Sequence, residues 1–259
     1  MGEFVQRRNE GRIGIVTLDR PDALNALSTA MAAEVADAFE ELAGDSNTWV
    51  VVLNANGERA FCVGADLKER SSFELQDYHD NRRQIFRMFR SIRSLPQPVI
   101  AAVFGHALGG GFELALSCDL IVAAEGTMLG LPEARVGLLP AGGGTQLLTR
   151  KIGPVRAKEL IFTGARITAE RACELGLVSR VAPRAELEQA ALGLAGDILE
   201  CSPVAVHEAK ACIDAAMGVP LEIGVGIEGA AWARVISSED RKEGVAAFND
   251  KREPIWTNK

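Results

Sequence analysis

His106-Ala-Leu-Gly-Gly-Gly-Phe-Glu-Leu-Ala-Leu-Ser-Cys-Asp119 joins a strand-like apolar run to a helix through three consecutive glycines, and its reading decides the fold. The first turn of a helix has four N–H donors without intrahelical partners. They carry the positive end of the helix dipole, and glycine lets a ligand oxygen approach them closely. Glu113 follows within one turn. An oxygen held by the N–H of Gly110 would lie near a carboxylate able to move a proton, which suits chemistry at a carbonyl. The same residues also fit a plain packing turn. A second donor or a second carboxylate elsewhere in the chain separates the two readings.

Outward from this stretch, residues 98–104 and 120–124 read as buried strands on either side of it, and 49–53 (Trp-Val-Val-Val-Leu) as another. Residues 61–70 form a strand end opening through Gly64 into a helix start. Near the N-terminus, residues 12–19 alternate apolar and polar side chains and predict a half-buried strand closed by Arg20-Pro21. Residues 25–43 predict a helix with Ser28 as its cap and a core stripe of Met31, Val35, Ala38, Phe39 and Leu42. Residues 74–95 predict a second helix, with Ile85, Phe86, Met88, Phe89, Ile92 and Leu95 inward and Arg82, Arg83, Arg87, Arg90 and Arg93 outward. That arginine row suits a solvated face, or a phosphate or RNA surface.

Downstream lie the loop 130–137, a second glycine cluster at 141–145, and short helices broken at Gly153, Gly164 and Gly176. From about residue 185 strand signals fade and three or four helical segments follow, broken at Ser202-Pro203 and Gly218-Val-Pro220. A recurring strand, strand, helix order with short connections marks a compact α/β chain.

Composition narrows the classes further. A chain of 259 residues with 47% hydrophobic content can bury a large core, and its net charge of −7 argues against nonspecific binding to nucleic acid or to an anionic membrane. The N-terminus carries no apolar leader, no apolar run reaches bilayer length, and five cysteines without C-x-x-C spacing read as reduced, buried thiols. A cytoplasmic protein is the expectation. Gly224-Val-Gly-Ile-Glu-Gly229 matches G-x-G-x-x-G, but no βαβ unit fits after it, so it reads as chance or as close helix packing. P-loop, zincin and serine-elbow motifs are absent, and His79, His106 and His207 are scattered.

What remains is a constellation. Gly64-Ala65-Asp66 is a second strand-to-helix junction, whose Ala65 N–H can join that of Gly110 in a two-donor oxyanion hole. Glu113 and Glu133, separated by a helix, a strand and a loop, can approach one bound molecule from opposite sides.

These residues resemble the enoyl-CoA hydratase/isomerase, or crotonase, family over nearly the whole chain. The likeness rests on Arg20-Pro-Asp-Ala-Leu-Asn-Ala26, Phe61-Cys-Val-Gly-Ala-Asp-Leu-Lys68, Ala107-Leu-Gly-Gly-Gly-Phe-Glu113, Leu131-Pro-Glu133, Gly142-Gly-Gly-Thr-Gln146 and Asp240-Arg-Lys-Glu-Gly-Val-Ala-Ala-Phe248, in family order. Gly-Ala-Asp-Leu-Lys-Glu-Arg and Glu-Leu-Ala-Leu-Ser-Cys-Asp are similar to the methylglutaconyl-CoA hydratase branch, also called AU-binding.

The resemblance implies an α/β spiral of ββα turns over residues 1–195. It implies a helical region over 196–259 that covers CoA and forms trimers, which commonly pair into hexamers. It places Ala65 and Gly110 as donors to a thioester oxygen and Glu113 and Glu133 as the catalytic pair. Ala23 and Leu24 would line the adenine site; Gly64, Asp66, Leu67 and Lys68 would bind substrate, Lys68 near the phosphates. Lys251 would reach CoA in its own or a neighbouring subunit. No metal and no cofactor are implied, since coenzyme A is part of the substrate. Phe104, Ala141 and Leu147 stand where Asn, Gly and Arg are frequent, departures that bear on packing around the site.

Within the resemblance, retention of both glutamates favours syn hydration of a trans-2-enoyl-CoA, and the resemblance assigns Glu113 as base and Glu133 as acid. The enzymatic alternative is an isomerase that shuttles a proton with one glutamate. A different class, RNA binding at the arginine row, is opposed by the acidic balance of the chain.

Overall fold

In the computed structural model, which describes residues 2–259, the strands form two sheets with helices between. The N-terminal part runs β1 (Val5–Glu10), β2 (Ile13–Leu18), α1 (Thr29–Ala43), β3 (Val50–Ala55), α2 (Leu67–Arg70) and α3 (Leu75–Arg93). The middle runs β4 (Val99–Val103), β5 (His106–Leu108), α4 (Gly110–Leu116), β6 (Leu120–Ala124), β7 (Met128–Gly130), α5 (Gly144–Ile152), α6 (Pro154–Thr163), β8 (Arg166–Thr168), α7 (Ala169–Glu174) and β9 (Arg180–Ala182). Four helices close the chain: α8 (Leu187–Leu199), α9 (Pro203–Ala216), α10 (Leu221–Ile236) and α11 (Glu239–Asp250).

The larger sheet has the order β1-β2-β3-β4-β6-β9 and the smaller β5-β7-β8. Apart from the antiparallel pairs β1–β2 and β7–β8, the pairing is parallel. Each turn of the spiral supplies one strand to each sheet and then a helix: β4, β5, α4, followed by β6, β7, α5. The turn before them does the same in shorter form, because after β3 the chain bridges Cys62 to Ala107 of β5 before entering α2.

Residues of β2 are buried at all six positions rather than at alternate ones. Successive strand side chains face opposite ways, so both faces of β2 are covered; the polar residues that suggested a wet face include Thr17, at 9% exposure. Its charged neighbour β1, Val-Gln-Arg-Arg-Asn-Glu, carries no apolar alternation and was not predicted. Pairing of Val5 through Glu10 with Leu18 through Ile13 makes it a strand, and its edge position tolerates the charges.

The first predicted helix begins at Thr29, not at residue 25, with Ser28 Oγ accepting from Met31 N–H. Residues 24 and 25 have φ of +54° and turn the chain instead. Phe86, predicted inward, is 52% exposed. Of the five cysteines only Cys62 and Cys118 are buried; Cys173 and Cys201 are exposed and Cys212 is intermediate, because the last three sit on helices near the surface or in their connections. Gly224 to Gly229 lie inside α10, so no strand precedes them.

Helix α8 runs across the 195/196 boundary and buries Leu187, Ala191 and Ala195 against β3, β4, β6 and β9. Beyond it, α9 is tied to residues just ahead of three strands. Lys210 Nζ donates to Asp119 Oδ2 (2.7 Å) and to Gln97 O (2.9 Å), and His207 contacts Trp49 O (3.4 Å). Among the described residues the C-terminal helices make no hydrogen bond to the far ends of β5 and β7, next to the glycine junctions.

One glycine in the opening stretch is required by packing alone. A Cβ on Gly111 would lie 2.0 Å from Cys62 O and 2.6 Å from Cys62 C, backbone that cannot yield without breaking the Cys62–Ala107 bridge. Gly111→Ala is expected to destabilise the protein by roughly 3 kcal/mol or more, measured as a fall in the urea midpoint. Wild-type stability in this variant would show that the two junctions are not packed as described.

Candidate active site

The second junction is built before the first can meet it. Asn25, fully buried, accepts from Arg20 N–H at Oδ1 (2.8 Å) and donates from Nδ2 to Asn56 O (3.0 Å) and Ala60 O (3.2 Å). These bonds hold the left-handed Leu24-Asn25 turn, whose Leu24 O accepts from Val63 N–H. Leu27 N–H then donates to Gly64 O (2.7 Å) and Asp66 N–H to Leu27 O (3.1 Å), fixing the peptides on both sides of Ala65.

Asp66 is used up in this scaffold. Its Oδ1 caps α2 by accepting from Lys68 and Glu69 N–H (3.0 and 3.1 Å), and its Oδ2 accepts from Arg20 Nη1 at 2.6 Å. Although burial pushes the Asp66 carboxyl up, the Arg20 hydrogen bond and the cap bring its net pKa below the ordinary carboxylate range. Its carboxylate oxygens hold the turn together, as the cap of α2 and the partner of Arg20.

The two junctions touch. A Cβ on Gly64 would lie 2.9 Å from the Gly110 nitrogen, and one on Gly110 would lie 3.8 Å from the Ala65 nitrogen. Gly64 takes φ of +92° and Gly109 takes +54°, so both positions need glycine on conformational grounds as well. Among the described residues the N–H groups of Ala65 and Gly110 donate to no protein acceptor, whereas Gly109 N–H donates to Gly130 O (2.9 Å) and Leu108 N–H to Cys62 O (3.0 Å). Two orphan donors at converging junctions are an anion-stabilising pair.

Both carboxylates flank it. Glu113, in the first turn of α4 and 4% exposed, accepts at Oε1 from Gly142 N–H (2.7 Å) and Gly144 N–H (2.8 Å). Burial raises its pKa, while those two hydrogen bonds and the charges of Arg82 and Arg93 pull against that rise. Glu133 sits in a 3-10 turn (Glu133–Val136), and its Oε2 is buried without a partner. A Cβ on Gly109 would lie 3.3 Å from Glu133 Oε1, which puts this carboxyl beside the first junction. Burial pushes Glu133 up to about 7, and the Glu113 charge adds to the rise. Glu113 thus has two donors for its ionised form from a separate turn, whereas Glu133 has only its own backbone N–H and an unpartnered Oε2. That asymmetry separates a base from an acid.

The remaining predicted residues fall in two places. Ala23 and Leu24 lie at the Pro21–Ala23 turn, tied to the Gly64 segment through Leu24 O, and Leu67 and Lys68 open α2 with exposed side chains. They form a rim leading away from Ala65. Lys251 ends α11 in a left-handed cap, and no hydrogen bond or ion pair among the described residues joins α11 to this rim. The arginine row is largely committed within the chain: Arg83 pairs with Asp80, Arg87 with Asp37 and Glu40, Arg82 donates to Ala141 O, and half-buried Arg93 donates to Gly142 O and Ser117 Oγ. Arg93 is therefore not an outward residue, whereas Arg90 is exposed and its side chain has no hydrogen-bond or ion-pair partner among the described residues.

Sequence reasoning missed Arg20 and Asn25 as the scaffold of Ala65, and Gly142 and Gly144 as the donors to Glu113. For the glycines a signal existed, since 141–145 was visible as a cluster; what it faced was not.

An α/β spiral whose middle turns (β4 to β7) send strands alternately to two sheets, and which brings two free N–H groups and two carboxylates to one junction, has the architecture of the crotonase class. The chain belongs to the enoyl-CoA hydratase/isomerase family, whose model matches residues 8–259. It is similar to the enoyl-CoA hydratase from Bacillus anthracis in a crystal structure, with 41% identity, a TM-score of 0.97, and 99% of this chain and 100% of that one covered. It is 38% identical over 245 residues to the short-chain-enoyl-CoA hydratase of Clostridium acetobutylicum, covering 94% of this chain and 93% of that protein. It is 40% identical over 248 residues to the human mitochondrial enoyl-CoA hydratase domain-containing protein 2, covering 94% and 85%.

Proposed function

We propose that the protein is a hydratase that adds water syn across the double bond of a trans-2-enoyl-CoA, giving a 3-hydroxyacyl-CoA. The observation that carries this reading is the unequal pair of carboxylates beside two free N–H donors. The thioester oxygen accepts from Ala65 and Gly110 N–H, which draws electron density from C3. A water between the carboxylates gives a proton to Glu113 as its oxygen bonds to C3; the alkene pair moves onto the thioester as an enolate, and C2 takes the proton held by Glu133. Glu113 ends protonated and Glu133 ionised, and exchange with solvent resets both. Ala23, Leu24, Leu67 and Lys68 would carry the CoA portion along the rim, with Lys68 toward its phosphates.

A homo-oligomer, a trimer or a pair of trimers, accompanies this reading. Leu221, Ile223, Val225 and Trp232 of α10 are each more than half exposed, an apolar surface suited to a second copy and through it to bringing Lys251 near a neighbouring site. A cytoplasmic setting is supported by five unpaired cysteines.

Two measurements test the reaction. Initial rates on crotonyl-CoA, longer enoyl-CoAs and 3-methylglutaconyl-CoA are expected to show turnover, with the preference ordering the acyl pocket; no turnover of any of them would overturn the reading. In the pH profile, Glu133 must hold its proton, and its raised pKa keeps it protonated up to about 7. kcat/KM is therefore expected to fall as pH rises above about 7, by about tenfold per unit, as the acid ionises. A profile flat between about pH 6 and about pH 9 would contradict Glu133 as the acid.

A further inference from the structure

We propose that Arg82 and Arg93 of α3 are positioning residues for Glu113, acting through the peptide units of the 141–144 turn rather than on substrate. The turn consists of three successive peptide units. The first joins Ala141 to Gly142: its N–H donates to Glu113 Oε1 (2.7 Å) and its carbonyl accepts from Arg82 Nη1 (2.6 Å). The second joins Gly142 to Gly143, and its carbonyl accepts from Arg93 Nη1 (3.3 Å). The third joins Gly143 to Gly144: its N–H donates to Glu113 Oε1 (2.8 Å), and its carbonyl accepts from Gln146 and Leu147 N–H (2.9 and 2.8 Å) at the start of α5.

Every carbonyl of the turn is held from outside, two of them by guanidinium groups, while the first and third N–H groups meet the carboxylate. The Ala141–Gly142 peptide, with the Arg82 cation on its oxygen and the Glu113 anion on its hydrogen, is favoured at both ends, and each bond polarises the next; Arg93 fixes the adjoining peptide. Arg93 Nη1 also reaches Ser117 Oγ (3.4 Å), and the Ser117 hydroxyl donates to Glu113 O (2.8 Å). One side chain therefore holds both the loop that binds the Glu113 carboxylate and the hydroxyl bound to its backbone. Gly143 needs glycine for its φ of +122°, and a Cβ there would sit in ordinary contact with Arg93 Nη1 at 3.5 Å. Leu147 packs against the same glycine without a polar group of its own, so the cations in this corner come from α3.

The charged groups around Glu113 are Arg82 and Arg93 from α3 and Glu133 from the 133–136 turn. Both arginines favour the ionised form of Glu113 against the burial that raises its pKa, and Glu133 opposes them when ionised. Removing either cation removes charge and loosens the donors. The consequence for catalysis rests on the hydratase reading; the clamp itself does not.

The test uses the full-length enzyme, with glutamate labelled with carbon-13 at the side-chain carboxyl and the Glu113 signal assigned from its loss in Glu113→Gln. In Arg82→Met and Arg93→Met the Glu113 carboxyl is expected to titrate at least about half a unit higher than in wild type. The acidic limb of kcat/KM on crotonyl-CoA moves by the same amount, kcat falls about tenfold, and KM stays within about twofold. Arg82→Lys and Arg93→Lys recover most of the loss. An unmoved Glu113 titration in Met variants that melt at the wild-type temperature would overturn the proposal. So would equal losses in the Lys and Met variants, or a loss that follows Tm alone with the acidic limb unmoved. If wild type turns over no enoyl-CoA, the hydratase reading fails, and the carboxyl titration still decides the clamp.

Discussion

Glu113→Gln is expected to lower kcat for crotonyl-CoA hydration by about a thousandfold while leaving KM within about threefold, because a positioned general base contributes on the order of a hundred- to ten-thousandfold. The substitution is close to isosteric. Its amide oxygen can still accept from Gly142 and Gly144 N–H, so the turn and α4 keep their geometry. What disappears is the ability to take a proton from water. A buried carboxyl with a raised pKa disfavours folding at pH values above it, so the amide should leave Tm unchanged or higher at neutral pH, and reduced rate cannot be ascribed to unfolding. Steady-state kinetics and a melting curve on the same preparation check both halves. Retention of full activity on every enoyl-CoA tried would remove Glu113 from the mechanism.

Gly110→Pro attacks the other half of the site. Both proposed donors to the thioester oxygen are backbone N–H groups, so ordinary side-chain replacement cannot delete them, but proline replaces the N–H with ring carbon. Gly110 is the first residue of α4, a position where proline fits a helix. The nearest contact of an added Cβ is the Leu27 Cδ1 at 3.2 Å, a side-chain end able to shift. Loss of one oxyanion donor typically costs about a hundred- to a thousandfold in kcat, roughly 3 to 4 kcal/mol, and the ring also crowds the carbonyl. The expected result is a fall of at least about a hundredfold in a folded protein that elutes from size-exclusion chromatography as wild type does. Gly110→Ala keeps the N–H and serves as the control; it should retain far more activity than the proline variant. Equal activities in the two would show that the Gly110 N–H donates to nothing in the transition state.

The glycine stretch and its neighbours were legible in sequence because their physics is local. A buried run of β-branched residues reads as a strand, three glycines before an apolar run read as a helix start, and Ser28 reads as a cap; all three stand in the structure. Elements decided by distant partners were not legible. β1 is a strand only because β2 lies beside it, and Thr17 is buried only because both faces of β2 are covered.

The site follows the same division. Residue type and spacing singled out Ala65, Gly110, Glu113 and Glu133, and the structure brings their segments together. Nothing local distinguished an acid from a base, since Glu113 acquires its two donors from a turn about thirty residues further along, and Glu133 acquires its raised pKa by being buried without such donors. The resemblance places Asp66 among the substrate-binding residues; no local pattern showed its bonds to Arg20 and the first turn of α2, which make it part of the scaffold of Ala65. Arg93 looked like an outward helix residue on periodicity, and only the return of residues 141–144 to the end of α3 gives its guanidinium carbonyls to hold.

Hydration by two carboxylates acting on one water is separated from a double-bond shift by product analysis after incubating crotonyl-CoA with the enzyme in oxygen-18 water. The expected result is loss of the enoyl absorbance together with a product heavier by one labelled water, carrying the label at C3. A product of unchanged mass with its double bond moved would contradict it and establish the single-carboxylate isomerase instead.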